Sequence, residues 1–238
     1  MGEPPRTAGP RRDGGPSGAI ALLAGAITYA LEACAQVAPK EMTLPTPCAD
    51  WDLAALLAHL TASMADLESA LRTGHLGLDP DESQWPDDPQ WSDDLQRPDD
   101  PQRPQRPNNP QWRDDPGRPA ARDPGGGDAV ETLRDQAANL LFACYAHHSR
   151  DRFVLVGGLP LPAGIVACTG AVEIAVHGWD VSAARGRGGP IPPALATRML
   201  RLCPLLVTGR EGLFGTPVQV PSAASPGDQL IAYLGRNP

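Results

Sequence analysis

The sequence predicts an all-α protein: an antiparallel four-helix bundle with a short C-terminal tail, first extended and then helical. Three observations carry this. Four segments of about 20 residues place apolar side chains at helical three- and four-residue intervals. They fall in two pairs, within residues 18–78 and 128–238. Between the pairs, positions 79–124 concentrate eleven of the chain's 28 prolines, a density that no helix or sheet ladder tolerates.

Taken in order, residues 1–17 read as a disordered leader. Arg11-Arg12 ahead of an apolar run superficially resembles an export signal, but Asp13-Gly14-Gly15 separates the two, and polar residues return at Thr28, Glu32 and Gln36. Gly18 to Ala38 is therefore expected to be a core helix, stopped by Pro39. Asp52 to Thr73 carries Leu53, Leu56, Leu57, Leu60, Met64, Leu67 and Leu71 on one face, with Asp52 as N-cap and Gly74 as terminator. Residues 79–127 follow as an insertion. Positions 79–124 hold eleven prolines, eleven aspartates, one glutamate and six arginines, and Leu95 is their sole aliphatic residue larger than alanine. Too few apolar groups are present to offset the entropy of ordering such a segment, so it is expected to be a disordered interruption of a single domain, residues 18–238.

The third helix is expected from Asp128 to about His148, and Phe153 to Val156 reads as a short extended piece. Ala163 to Ala184 is apolar on nearly all sides, which predicts the most buried helix. A fifth helix should run from Pro192-Pro193 to about Val207, before the tail from Phe214 to Pro238.

Composition excludes some functions. A net charge of −8, six of it in positions 79–124, does not suit a protein that binds nucleic acid through a basic surface. No apolar stretch reaches the roughly 18 residues that span a bilayer, so no membrane partner is expected. The five cysteines are odd in number and include no C-x-x-C pair. They read as free thiols of a reducing compartment, which places the protein in the cytoplasm.

The chemistry concentrates on the fourth helix. Glu173 and His177 are the sole acid and the sole histidine between Phe153 and Trp179. Their i, i+4 spacing projects both from one face, one turn apart. Such a pair is either a buried hydrogen bond that fixes the helix or two ligands of one metal ion. His59, at the edge of the apolar stripe of the second helix, supplies a third ligand if the two helices face each other. Three protein ligands would leave an open coordination position, as in catalytic zinc sites. Trp51 and Trp179 bracket these residues in sequence. Asp180 is placed either to accept the second ring N–H of a ligating histidine or to face solvent. His147 and His148 suit the negative end of the third helix. Cys48 has no histidine near it in sequence and reads as a packing thiol, not a nucleophile.

Thr46-Pro47-Cys48-Ala49-Asp50-Trp51, Leu56-Leu57-Ala58-His59-Leu60 and Glu173-x-x-x-His177-Gly178-Trp179-Asp180 together resemble the mycothiol-dependent maleylpyruvate isomerase N-terminal family, one of the DinB-like (YfiT-like) metal-binding bundles. The tail, with Phe214-Gly215-Thr216-Pro217 and Leu234-Gly235-Arg236, looks like the end of an actinobacterial branch. The resemblance implies a divalent metal, usually zinc, on His59, Glu173 and His177. It also implies mycothiol as co-substrate and a small electrophile as the molecule acted on, by isomerisation or S-transfer. A homodimer is compatible with it. The insertion is not part of the family pattern, and a short tail stands where the isomerase itself has a separate C-terminal domain, so maleylpyruvate is not the expected substrate. A non-catalytic metal- or ligand-binding bundle and a metal-dependent hydrolase are the alternatives.

Overall fold

A computed structural model describes residues 16–48, 51–76, 126–147, 152–207 and 214–238. These all fall in one compact unit, Met1–Gly77 with Pro124–Pro238. The expected leader, but for its last two residues, and nearly all of the expected insertion lie outside the described residues.

Four long helices form the bundle: α1 (Pro16–Cys34), α2 (Leu53–Thr73), α3 (Gly126–Ala146) and α4 (Ala163–Ala184). Two shorter helices follow, α5 (Pro193–Leu206) and α6 (Pro226–Tyr233), packed on each other, with α5 also against α4. The α2 boundaries follow from its end residues. The Asp52 carboxylate accepts the Ala55 N–H at 2.9 Å, and Gly74 closes the helix in the left-handed conformation at φ 84°. α1 ends four residues earlier than the prolines alone suggest. The Arg185 guanidinium at the end of α4 donates to the Ala33 carbonyl at 3.1 Å and also to the Gln36 carbonyl, satisfying groups that would otherwise extend the helix.

α1 packs along α4, and α2 packs on α3 and α4. Leu67 meets Gly170, Ser63 meets Glu173 and His59 meets Glu173, so α2 climbs as α4 descends. α1 runs in the same direction as α4, with Ala19 beside Gly164 at one end and Ala33 beside Arg185 at the other. The α1–α4 contact is close because Gly178 has no side chain. A Cβ there would lie 2.9 Å from the Ala30 Cα and 3.1 Å from its Cβ. Backbone, not a flexible side-chain end, stands in the way, so Gly178→Ala should force the helices apart. It is expected to cost about 1–3 kcal/mol by overpacking, against a helix-propensity gain of about 1 kcal/mol, and chemical denaturation should show a net loss.

Between the bundle helices the sequence predicts one extended piece, Phe153 to Val156; the described residues hold three short strands. β1 (His75–Leu76) pairs in parallel with β2 (Phe153–Val156), which forms a hairpin with β3 (Leu159–Pro162). Gly157 and Gly158 make the two-residue turn at φ 55° and 81°, a conformation that suits glycine. β3 escaped notice because Pro160 and Pro162 argue against a strand; on the sheet edge their missing N–H groups are tolerated. α2 and α3 both lead toward the parallel pair β1–β2.

α4 is the most buried helix, as its composition requires: thirteen of its residues, from Val166 to Ser182, are inaccessible or nearly so. α1 is a core helix too, burying Leu22, Leu23, Ala26, Ile27 and Ala30. Four of the five thiols are buried and all five are free. Among the described residues no helix is long and apolar enough to cross a membrane.

Candidate metal centre

His59 of α2 and Glu173 and His177 of α4 converge. One ligand atom from each lies within 4.8 Å of the others. His59 Nε2 stands 3.4 Å from Glu173 Oε1, and the two side chains are about one-third exposed. His177 is nearly buried, and its ring meets that of His59 edge-on at 5.0 Å between centroids. Facing helices thus bring His59 to a Glu173–His177 pair more than a hundred positions away in the chain.

Each of the three is held from behind. Ser63, one turn after His59, donates its hydroxyl to Glu173 Oε1 at 2.6 Å. Burial pushes the Glu173 carboxyl upward, but hydrogen bonds from His59 and Ser63, with the His177 ring nearby, outweigh it and hold its pKa below the ordinary value. His177 Nδ1 lies 3.0 Å from Asp180 Oδ2, and Asp180 has no exposed surface. Of the two roles open to Asp180, the structure selects the partner of His177 over solvation. Burial again opposes ionisation, yet hydrogen bonds from His177 and Arg236 and the Arg236 charge keep the Asp180 pKa low. A carboxylate accepts, so Nδ1 carries a proton, which in the neutral ring leaves Nε2 with its lone pair.

The segment ahead of α2 supplies the wall. Thr46 Oγ1 accepts the Cys48 N–H at 3.2 Å and donates to the Trp51 carbonyl at 3.0 Å, and Leu53 N–H bonds Leu44 O at 2.9 Å. This turn sets the Trp51 ring 4.6 Å from His59 and 6.3 Å from His177. Trp179 instead packs, partly buried, at the margin of the core. Cys48 is more than a packing thiol. Its Sγ donates to Asp180 Oδ2 at 3.2 Å and lies 3.8 Å from His177 Nδ1, a histidine near in space though 129 residues away. It remains a poor nucleophile, since burial and the Asp180 charge push its pKa to about 12. His147 follows the last turn of α3, its N–H on the Ala143 carbonyl at 2.9 Å, and joins no ligand cluster among the described residues; His148 lies outside them. His75 is exposed in β1.

The donors fit a divalent ion. Two imidazoles and a carboxylate suit zinc, and bonds of about 2.1 Å in a tetrahedron put neighbouring ligand atoms about 3.4 Å apart, the separation of His59 Nε2 and Glu173 Oε1. A second cluster, Cys48, His177 and Asp180, is equally tight. It does not fit a cation, because the Arg236 guanidinium already lies 3.0 Å from Asp180 Oδ2 and 3.6 Å from Cys48 Sγ.

Residues 23–182 match the family described as mycothiol maleylpyruvate isomerase N-terminal domain. The chain belongs to this family. The match takes in α2 and α3 whole and α4 as far as Ser182, and with them the three converging side chains. Relatives within reach include two uncharacterized proteins of Mycobacterium tuberculosis, from strains CDC 1551 and H37Rv. Each is 30% identical over 129 residues, covering 52% of this chain and 69% of the relative. No solved structure matches the chain.

Two residues at this centre of the isomerase-family bundle escaped the sequence reading. Ser63 carried a usable signal, standing i+4 from His59 on the same helical face. Arg236 carried none as a site residue, since 56 positions of chain separate it from Asp180.

Proposed function

We propose that this protein is a metal-dependent, mycothiol-using transferase or isomerase acting on a small electrophile, with His59, Glu173 and His177 as the metal ligands. The convergence of these three side chains on a partly exposed face, each backed by its own hydrogen bond or ring contact, carries the reading. A divalent cation such as zinc, bound there, lowers the pKa of a coordinated thiol and so makes it a nucleophile at neutral pH.

The chain's own groups prepare that chemistry. Asp180 fixes His177 so that Nε2 presents its lone pair. Ser63 orients one oxygen of Glu173, which serves as ligand and not as base. Trp51 covers one side of the histidine pair and narrows the approach of the electrophile. Five free thiols suit a reducing, cytoplasmic setting in which a small thiol stays reduced.

Purified protein reconstituted with zinc should consume small electrophiles, such as activated alkenes or alkyl halides, only when mycothiol is present. Turnover without thiol would move the assignment to a hydrolase, with water in the nucleophile's place. Tight metal binding with no turnover of any kind would leave a non-catalytic binding protein.

A further inference from the structure

The family match ends at residue 182, yet the chain that follows returns to the centre. Beyond α6 the tail turns sharply at Gly235, which adopts φ 83°. A Cβ there would lie 2.5 Å from the Gly215 Cα, so the two glycine backbones pack directly on each other. Leu234 just before the turn is fully buried, and the Arg236 N–H bonds the Ile231 carbonyl at 3.0 Å. The backbone leading into Arg236 is therefore held in place.

Its side chain points inward with 10% exposure. Nε reaches Asp180 Oδ1 at 3.3 Å and NH2 reaches Oδ2 at 3.0 Å, a two-pronged grip on the carboxylate. NH2 also approaches Cys48 Sγ at 3.6 Å, and NH1 donates to the Leu234 carbonyl at 3.1 Å. Asp180 is the group that meets His177 Nδ1. A fully buried carboxylate needs a compensating cation. Arg236 supplies it, on the same carboxylate that meets His177 Nδ1.

We propose that Arg236 is a positioning residue for the metal centre: by gripping both oxygens of Asp180 it fixes the ring orientation and tautomer of His177. The C-terminal tail, outside the matched domain, is thereby part of the site. Its link to metal binding rests on the proposed ligand set, whereas its effect on His177 does not.

The test uses the full chain and two readouts. In the metal-free protein, nitrogen-15 NMR of the histidine rings, with His177→Ala for assignment, should show His177 as one Nδ1–H tautomer. Arg236→Gln, which frees the Asp180 carboxylate to turn away from the ring, should mix the tautomers, and Arg236→Lys, which keeps the charge but loses the fork, should mix them less. With cobalt as titrant, Arg236→Gln should weaken binding about 10–100-fold, the usual effect of removing an outer partner of a ligand. In an Asp180→Asn background the same substitution should add less than about twofold, because the two act in series.

A wild-type tautomer in Arg236→Gln, or losses of affinity that simply add with Asp180→Asn, would overturn the proposal. Circular dichroism checks folding. Should Arg236→Gln unfold, Arg236→Lys decides by the same NMR measurement, and a wild-type tautomer there overturns the proposal. Failure of the wild-type protein to bind cobalt would sink the ligand assignment, while the tautomer measurement would still decide the role of Arg236.

Discussion

His59→Ala and His177→Ala proteins should each lose their metal on dialysis, whereas the parent retains one equivalent. The expected drop in affinity exceeds the roughly 100-fold seen for removal of an outer-sphere partner, because a direct ligand is gone. The two substitutions differ in their collateral effects. His59 is one-third exposed, so its removal leaves the fold intact. His177 is buried against Asp180, and its loss frees a hydrogen-bonding position on a carboxylate that Arg236 and Cys48 still engage. Stability should therefore fall modestly in His177→Ala, by about 1–3 kcal/mol, and hardly at all in His59→Ala. Glu173→Gln separates charge from shape. The amide oxygen can still accept from Ser63, but the negative ligand is lost, and metal content should fall to an intermediate level. Elemental analysis after dialysis reads all three. Retention of a full equivalent by both histidine variants would refute the ligand set.

A cobalt-substituted protein should gain a sulfur-to-metal charge-transfer band when mycothiol is added. The physical basis is the proposed centre, whose three protein ligands would leave a position open to a soft donor. The band should weaken as pH falls, because the proton and the metal compete for the same sulfur; the thiol form predominates below its effective pKa and the bound thiolate above it. Trp51 adds a second readout. Its ring lies 4.6 Å from His59, so its fluorescence should respond to thiol binding, and Trp51→Phe should abolish that response while leaving the band. Tight cobalt binding that no thiol perturbs would end the transferase or isomerase reading.

Much of this molecule is legible in one dimension because its helices are apolar at regular intervals or throughout and are locally punctuated. Asp52 and Gly74 delimit α2 by chemistry confined to a single turn, and the leucines between them declare the buried face. Glu173 and His177 stand out because they are ionisable residues one turn apart in an otherwise apolar helix, where an unpartnered charge would be costly. The hairpin was less legible, since the prolines of β3 mask a strand whose edge position depends on what lies beside it.

By itself the sequence determined which segments are helical and which residues of them are buried, and it singled out His59, Glu173 and His177 as candidate donors. Those properties follow from local backbone preference and hydrophobic periodicity, which act over a few residues. Only the tertiary structure decided what stands behind the donors. Ser63 reaches Glu173 across two helices, Cys48 reaches Asp180 across 132 positions, and Arg236 grips Asp180 from a tail whose course is set by the Gly215–Gly235 contact. Hydrogen bonds between residues so far apart leave no periodic trace in the chain. Their partners are chosen by which polar groups folding buries together, and that is settled only when the helices pack.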